Sequence, residues 1–589
     1  MQGHLRRSQA RLCRTVGLLF AFFCAAAAAA TLAQAGLNTG FDPWDAAAVG
    51  LIALTTGWLA WGAGQAMMGL PDLGPMPDPA LSGGAFPPTA ILVPICNENP
   101  VEVCARIAAM RQSLAQAGVP AHFAVLSDTS DPQALLAEAA ALAPLFNDND
   151  GPNPVYYRVR KDRRGRKAGN VEDFIRTSGG AYTYAVLLDA DSLMEGETIR
   201  HLVARMEAEP GIGLLQTLPK IVGASALFGR AMQFSASFHS PVFARGLARM
   251  QGYAGPFWGH NAIARVDALA QCCGLPELSG PPPFGGTILS HDYVEAALLV
   301  RGGWRVEMDP RIEGSFEEGP ENLLAFARRD RRWCQGNLQH VRLLRAPGLR
   351  GWSRFVFVQG IMSYLVSVLW GAFLIVSLLA AATSRNPDYF PDAYQLFPVF
   401  PDDRTFQIIA LAVGIGGLLV LPKLAIFFES VLSRRTGGFG GTVRSFFSVT
   451  CETLLTSLIA PIMLMYQTRA VVEVLSGRDG GWPSTARGEG RLTLTEGWIA
   501  GRWIAAWGAG AMVFVLWLTP GLIWWLMPVT VPMTLAPVLI TLTSWGIGRS
   551  LFVVPQERLT SPVVAAYRSR LSRMIEPEGL PHGPNTRSA

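Results

Sequence analysis

The chain has 589 residues with 49 Lys plus Arg against 44 Asp plus Glu, a near-balanced charge of +5 that excludes a nucleic-acid binder. Only 16% of the residues are charged and half are hydrophobic, where a soluble globular chain carries about 25% charged residues. With a mean hydropathy of +0.27, an ordinary soluble protein is excluded and a membrane protein with a soluble part is indicated.

Apolar stretches of roughly 20 residues, enough to cross about 30 Å of hydrocarbon, lie near 15–36, 46–69, 355–382, 405–428, 503–525 and 529–550. Arg6, Arg7, Arg11 and Arg14 precede the first stretch, whereas the loop after it holds only Asp42 and Asp45. The positive-inside rule then puts the N-terminus, both chain ends and the long segment 70–354 in the cytoplasm. The first stretch also fits a signal peptide cleaved after Ala35, which leaves the remaining topology unchanged. The stretch 446–467 is apolar but contains Glu452 and Pro461 and is flanked on both sides by arginines. It therefore reads as a re-entrant or interfacial hairpin.

From residue 90 short apolar runs alternate with helical text: TAILVPI, a helix over 101–117, AHFAVLSD, a helix over 131–144, VYYRVR, a helix from 168, and an apolar strand over 181–191. That alternation predicts βαβ units and a parallel sheet, whose ligands bind outside the carboxyl ends of the strands. Polar residues stand at those ends: Asn97 and Glu98, Asp128, Arg160 and Lys161, and Asp189 with Asp191. No G-x-G-x-x-G or G-K-[ST] follows the first strand, so a dinucleotide fold and a P-loop are disfavoured.

In YAVLLDADSL the strand delivers Asp189 and Asp191 to one side of the pleat, a pair suited to Mg²⁺ or Mn²⁺ shared with phosphates. A helix-capping or salt-bridging Asp pair is the competing reading. Asp128, in LSDTSD, stands equally well in an ordinary turn. Arg163, Arg164, Arg166 and Lys167 precede a helix and suit a phosphate, or else form a solvated basic loop. The eight cysteines show no C-x-x-C pairing, which predicts reduced, mostly buried thiols.

In this order the pieces resemble the processive family-2 glycosyltransferases, membrane enzymes that include cellulose and hyaluronan synthases. The family pattern of a first Asp, D-x-D, [TS]-x-D and Q-x-x-R-W reads here as Asp128, Asp189 with Asp191, SHD ending in Asp292, and RRDRRW ending in Arg332 and Trp333, at intervals of 61, 101 and 41 residues. VPICNENP, KAGN, GPFWGHNAIAR, LSHDYVEAALLVRGGW and GSFEEGPENLLAFARRDRRWCQGNLQH look like the branch that builds the glucose backbone of osmoregulated periplasmic glucans in bacteria.

The resemblance implies an α/β cytoplasmic GT-A-type domain over 85–345 inserted in a polytopic α-helical membrane protein. Residues 1–84 would hold two transmembrane helices, 346–555 a membrane region with interfacial helices and a cytoplasmic loop near 470–500, and 556–589 a basic cytoplasmic tail. It implies an inverting polymerase of the bacterial inner membrane that uses UDP-glucose and Mg²⁺ or Mn²⁺, passes a nascent, β-1,2-linked glucan through the bilayer, and works with a periplasmic glucan-processing protein and acyl carrier protein.

By the same resemblance Asp128 reads uridine, Asn97, Glu98, Lys167 and Asn170 lie near the nucleotide-sugar, Asp191 binds the metal, and Asp189 is close to metal, ribose and sugar. Asp292 is the general base. Trp258, His260, Asn261 and Trp333 meet the acceptor, while Arg332, with Arg331 or Arg329, holds the diphosphate. Two residues depart from the family pattern, Arg329 in place of Gln and His291 in place of Glu before the base, and Gln335 is the candidate to replace the missing amide.

The stretch 321–345 is read as an amphipathic helix on the membrane surface, and Trp304, Trp352 and Trp370 as a sugar-stacking lane. Trp482 and Arg487, in a Gly-rich basic loop, are candidates to close over UDP. The rival readings are a single-transfer polyprenyl-phosphate glycosyltransferase, another polymer synthase such as a cellulose synthase, and a non-catalytic transporter.

Overall fold

The computed structural model describes residues 2–37, 41–76, 85–146, 151–383, 397, 405–479 and 490–575. Trp482 and Arg487 lie outside them. Ten strands form among the described residues: β1 (Thr89–Ile95), β2 (His122–Ser127), β3 (Val155–Val159), β4 (Tyr184–Leu187), β5 (Leu193–Met194), β6 (Ile212–Gln216), β7 (Lys220–Val222), β8 (Ala262–Arg265), β9 (Arg305–Met308) and β10 (Ser315–Glu318). The helices between the first four are Pro100–Gln116, Pro132–Phe146 and Arg166–Ser178, close to the predicted ones.

Seven strands make one sheet in the order β3-β2-β1-β4-β8-β6-β9. It is mixed rather than wholly parallel, because β8 runs antiparallel to β4 and β6. The chain enters β8 from the edge where the parallel strands end, so residues 257–261 are delivered to the same edge as the ends of β1, β2 and β4. A small second sheet, β5-β10-β7, carries Glu317 and Glu318 beside that edge.

Alternation along β1 shows why this sheet is covered on both faces. Ile91, Val93 and Ile95 enter one apolar core with Val103, Ile107, Phe123 and Val186, while Ala90 and Leu92 enter another with Ala124, Phe174, Leu214 and Leu299. β4 ends at Leu187, so Asp189 and Asp191 occupy the turn after the strand and not its pleat. That turn is pinned by the Ser192 hydroxyl, which accepts the Asp189 N–H at 3.0 Å.

Among the described residues six helices are long and apolar enough to cross a bilayer: Ser8–Leu37, Pro43–Gly69, Gly351–Thr383, Thr405–Leu432, Thr442–Leu475 and Leu494–Leu518, followed by the pair Pro520–Thr534 and Ala536–Thr543 bent by 59°. The first four coincide with the expected spans. The fifth expected span stops at Leu518, before Pro520, and the sixth is broken at Leu535 within a sequence carrying Pro528 and Pro532.

The expected hairpin at 446–467 is instead one continuous helix of 34 residues through the buried Pro461, roughly 50 Å long at 1.5 Å per residue. Both of its ends are tied to the α/β part of the chain. Near its start Val449 packs with Phe234 and Phe238, and near its end Gln467 donates to Asp330 at 3.0 Å and Glu473 pairs with Arg331 at 3.2 Å. Val443, Phe447, Leu454, Leu458, Val472 and Leu475 form the exposed apolar side, as in a helix lying in an interface.

Gly69 of the second span and Gly246 of the helix Ser240–Gln251 fix how closely membrane and domain meet. A Cβ at Gly69 would stand 1.8 Å from the Val242 carbonyl and one at Gly246 1.9 Å from the Gln65 carbonyl. The C-terminal tail also departs from the expectation of a plain basic extension. Pro562–Ile575 is a helix whose Val563, Val564 and Tyr567, at one-sided helical spacing, are buried in the α/β core.

Candidate active site

A cavity of about 780 Å³ opens at the carboxyl edge of the sheet. Most of the predicted residues converge on it, delivered by seven separate pieces of chain. One half is lined by Glu98 after β1, Asp128 after β2, Lys167 and Asn170 on the helix that begins at Arg166, and Asp189 with Asp191 after β4.

These groups are held by one another. Asp128 receives both arms of the buried Arg160 guanidinium, at 2.9 and 2.7 Å, and Arg163 caps the carbonyls of Asp128 and Thr129 at 2.8 Å each. Below them the buried Glu138 accepts from Ser127 at 2.7 Å, from Tyr157 at 2.9 Å and from Thr129. Lys167 Nζ donates to Asp189 and to the Gly259 carbonyl at 2.6 Å, so one ammonium ties the Asp-Ala-Asp turn to the loop before β8. Asn170 donates to the Leu126 carbonyl at 3.0 Å and accepts from Arg158 at 2.7 Å.

Of the basic run, Arg163, Arg166 and Lys167 line the cavity, while Arg164 points outward to Glu277 at 2.9 Å.

The other half is built around Asp292, in the first turn of the helix His291–Arg301. Burial holds its carboxyl above the usual carboxylate range, opposed by His291 and by the Tyr293 N–H, both of which favour the ionised form. Burial alone would lower the His291 pKa, but Glu295, 3.3 Å away, together with Asp292, raises it. Burial likewise opposes protonation of His260, and Asp189 and Glu317 outweigh it.

Glu317, 3.5 Å from His260 Nε2, is raised by burial and by the nearby Asp191 and Asp189, with His260 opposing.

Such crowding of acids is a field that a divalent cation relieves. No group of three or more His, Cys, Asp and Glu side chains among the described residues makes a complete metal site. Asp189 and Asp191 offer hard carboxylate oxygens at the cavity wall, a donor type that suits a divalent ion sharing its other ligands with phosphate and water.

Arg329, Arg332 and Trp333, on the helix Leu323–Gln339, close the cavity's far side, with the Arg329 guanidinium 4.4 Å above the Trp333 ring. Arg331 turns away to Glu473 and to the Arg478 carbonyl at 3.1 Å. A second cavity of about 530 Å³ shares Trp258, His260, Asp292, Glu317, Arg329 and Trp333 with the first, and it continues between Trp58 and Gln65 of the second span and Gln359 and Ser363 of the third. Asp292 and Glu317 thus stand where the two cavities meet.

Several expectations place elsewhere. Asn97 and Asn261 are absent from both linings, and each adopts a left-handed backbone, φ 62° and 53°, that Asn tolerates. Asn97 N–H bonds Thr129 Oγ1 at 2.9 Å, and the fully buried Asn261 bonds Ser192 at 2.5 Å and Ser315 at 2.8 Å. Gln335 bonds Asp479 at 2.7 Å rather than facing the cavity.

Trp304 lies over Arg265 on the sheet, Trp352 stacks on Phe355 at 4.9 Å, and Trp370 pairs with Phe373. The tryptophans that line the two cavities are instead Trp58, Trp258 and Trp333. Glu317 was not singled out by the sequence, and its only signal is the acidic pair in GSFEEGPE.

Models of two glycosyl transferase families match the chain, family 2 over residues 90–272 and family group 2 over 184–420. The chain is 50% identical to the glucans biosynthesis glucosyltransferase H of Cereibacter sphaeroides over 98% of each chain. It is 42% identical to that of Rhodopseudomonas palustris, over 86% of this chain and 70% of the relative. With that of Vibrio cholerae the identity is 37%, over 91% and 76%. Among solved structures, a mannosyltransferase from Pyrobaculum calidifontis in complex with GDP-Man and Mn²⁺ overlaps at a TM-score of 0.43 and 16% identity, over 74% of this chain and 100% of that one.

Proposed function

The chain belongs to the glucans biosynthesis glucosyltransferase H family within glycosyl transferase family 2, and from that premise we propose that it polymerises glucose from UDP-glucose into the β-glucan backbone of osmoregulated periplasmic glucans. The observation that carries this reading is a carboxylate, Asp292, at the junction of a polar cavity and a second one running between two apolar helices.

The donor fills the first cavity, its uracil toward Asp128 and its diphosphate between Lys167, Arg166 and the Asp189–Asp191 turn. Asp191 and Asp189 would hold a divalent ion, Mg²⁺ or Mn²⁺, which would supply neutralisation of the diphosphate charge. Arg329 and Arg332 add fixed positive charge on the same side.

The terminal sugar of the glucan stacks on Trp333 and Trp258 with one hydroxyl against Asp292. Asp292, ionised, takes that hydroxyl's proton as the oxygen attacks the anomeric carbon, and the bond from that carbon to the diphosphate breaks on the opposite face. One displacement inverts the α-linked donor to a β-linked product. The desolvated site makes the Asp292 carboxylate a stronger base than one in water.

The glucan then advances into the second cavity, past Trp58 and Gln359, toward the outer side of the inner membrane. That path supports a polymerase over a single transfer to a lipid phosphate, which has no need of a cavity between spans. Arg11 and Arg14, in the first two turns of the span Ser8–Leu37, support a cytoplasmic side for the α/β domain.

The test is incorporation of labelled glucose from UDP-glucose by the purified protein in lipid vesicles with Mg²⁺, followed by linkage analysis of the product. A labelled β-1,2-glucan is expected. Label found only in a lipid phosphate would replace the polymerase with the single-transfer reading.

A further inference from the structure

The end of the chain returns from the membrane to the back of the active site. After the bent helix pair, Glu557 is held by Arg230 at 2.6 Å and Arg558 donates to the Gly437 carbonyl at 2.5 Å. Ser561 then donates to Glu195, and the helix Pro562–Ile575 lies on Pro100–Gln116, with Arg570 donating to Gln112 at 2.8 Å.

At the centre of this contact is Arg106, 2% exposed. Its guanidinium carbon is 4.8 Å from the centre of the Tyr567 ring. Nη2 pairs with Glu318 at 2.8 Å and with Glu102 at 3.2 Å, and Nη1 donates at 3.2 Å to the carbonyl of Ala190, the residue between Asp189 and Asp191. The Tyr567 hydroxyl meets Glu318 at 3.3 Å.

Tyr567 is therefore two contacts from the backbone that presents both carboxylates. A planar cation clamped between an aromatic face and a carbonyl is positioned in a way that a lone ion pair is not.

We propose that Tyr567 is a positioning residue for the donor site: through Arg106 it fixes the Asp189–Asp191 turn, so that the C-terminal helix sets the affinity for the divalent ion and the nucleotide diphosphate. The proposal rests on the reading of Asp189 and Asp191 as the metal and donor site. Partners that orient a metal-binding group from behind change metal affinity by about 10- to 100-fold, which is an effect large enough to separate from a loss of folded protein.

The experiment is UDP binding to the purified full-length protein, titrated with Mn²⁺, beside a thermal melt of each variant. Tyr567→Ala is expected to raise the Mn²⁺ concentration for half-maximal UDP binding about tenfold. Tyr567→Phe, which keeps the ring over Arg106, is expected to stay within about twofold of wild type.

A Tyr567→Ala protein that melts lower but binds UDP with unchanged Mn²⁺ dependence would overturn the proposal and leave Tyr567 a packing residue. Should that variant fail to fold, Arg106→Lys carries the test. It keeps the charge but loses the fork that reaches Ala190, and the same shift is expected, an unchanged Mn²⁺ dependence again overturning the proposal. Wild-type protein that binds no UDP in Mn²⁺ would instead remove the reading of the donor site itself.

Discussion

The two halves of the active site are built on opposite plans. In the half proposed for the donor, four acids already have cationic partners from the protein: Arg160 on Asp128, Lys167 on Asp189, Arg106 on Glu102 and Glu318. In the half around Asp292, that carboxyl and Glu317 are desolvated, with raised proton affinity, and their nearest charged neighbours are histidines, His291 beside Asp292 and His260 beside Glu317, with Arg329 a lesser influence on Glu317. Preorganised charge suits a ligand that is always a nucleoside diphosphate. Desolvated acids suit a neutral sugar, whose hydroxyls supply the missing hydrogen bonds and one of which must surrender a proton.

Removing the base should separate the halves most sharply. Asp292→Asn is expected to lower glucose transfer by roughly 10²- to 10⁴-fold, measured as initial rate of label incorporation. Next comes the metal: Asp191→Asn is expected to weaken Mn²⁺-dependent UDP binding by about 100-fold while leaving glucan binding to the protein unchanged. A smaller effect belongs to the stacking face. Trp333→Ala should raise the concentration of oligoglucan acceptor needed for half-maximal rate by about tenfold, the equivalent of about 1.4 kcal/mol. Trp304→Ala, on the sheet away from both cavities, should not change it.

The gentlest probe is pH. The base works ionised, so the rate rises with pH through the Asp292 pKa. His291 lowers that pKa, so its removal in His291→Gln should move the acid limb of kcat/KM to higher pH. A limb that stays in place or moves to lower pH would mean that His291 does not favour the ionised form of Asp292.

Much of this contrast is legible in the sequence on the donor side and less so on the acceptor side. Apolar runs ending in acids located the ends of β1, β2 and β4 to within a residue or two, because period-two burial and turn chemistry are local. Asp189 and Asp191 were found for the right strand but in the wrong local geometry, since the pleat gives way to a turn at Leu188. What the sequence concealed depends on contacts distant along the chain.

Glu317 reaches the cavity through β10, whose partners β5 and β7 lie about a hundred residues earlier. Asn97 and Asn261 stand beside motif residues, yet each has a left-handed backbone and internal hydrogen bonds. Trp304, Trp352 and Trp370 were chosen by residue type, whereas Trp58, from the second span, enters the lining only because the Gly69–Gly246 crossing brings that span against the domain. Thr442–Leu475 passes the local test for a span, and its ties to the α/β part at both ends, to Phe234 and to Asp330 and Arg331, are contacts distant along the chain.

The most direct test of the central claim, that Asp292 acts on the acceptor and not on the donor, is UDP affinity in Mn²⁺ measured for Asp292→Asn and wild type beside their transfer rates. UDP affinity within about threefold of wild type, with transfer lost, is the predicted result. Loss of UDP affinity in proportion to transfer would contradict it, because Asp292 would then belong to the donor and metal site.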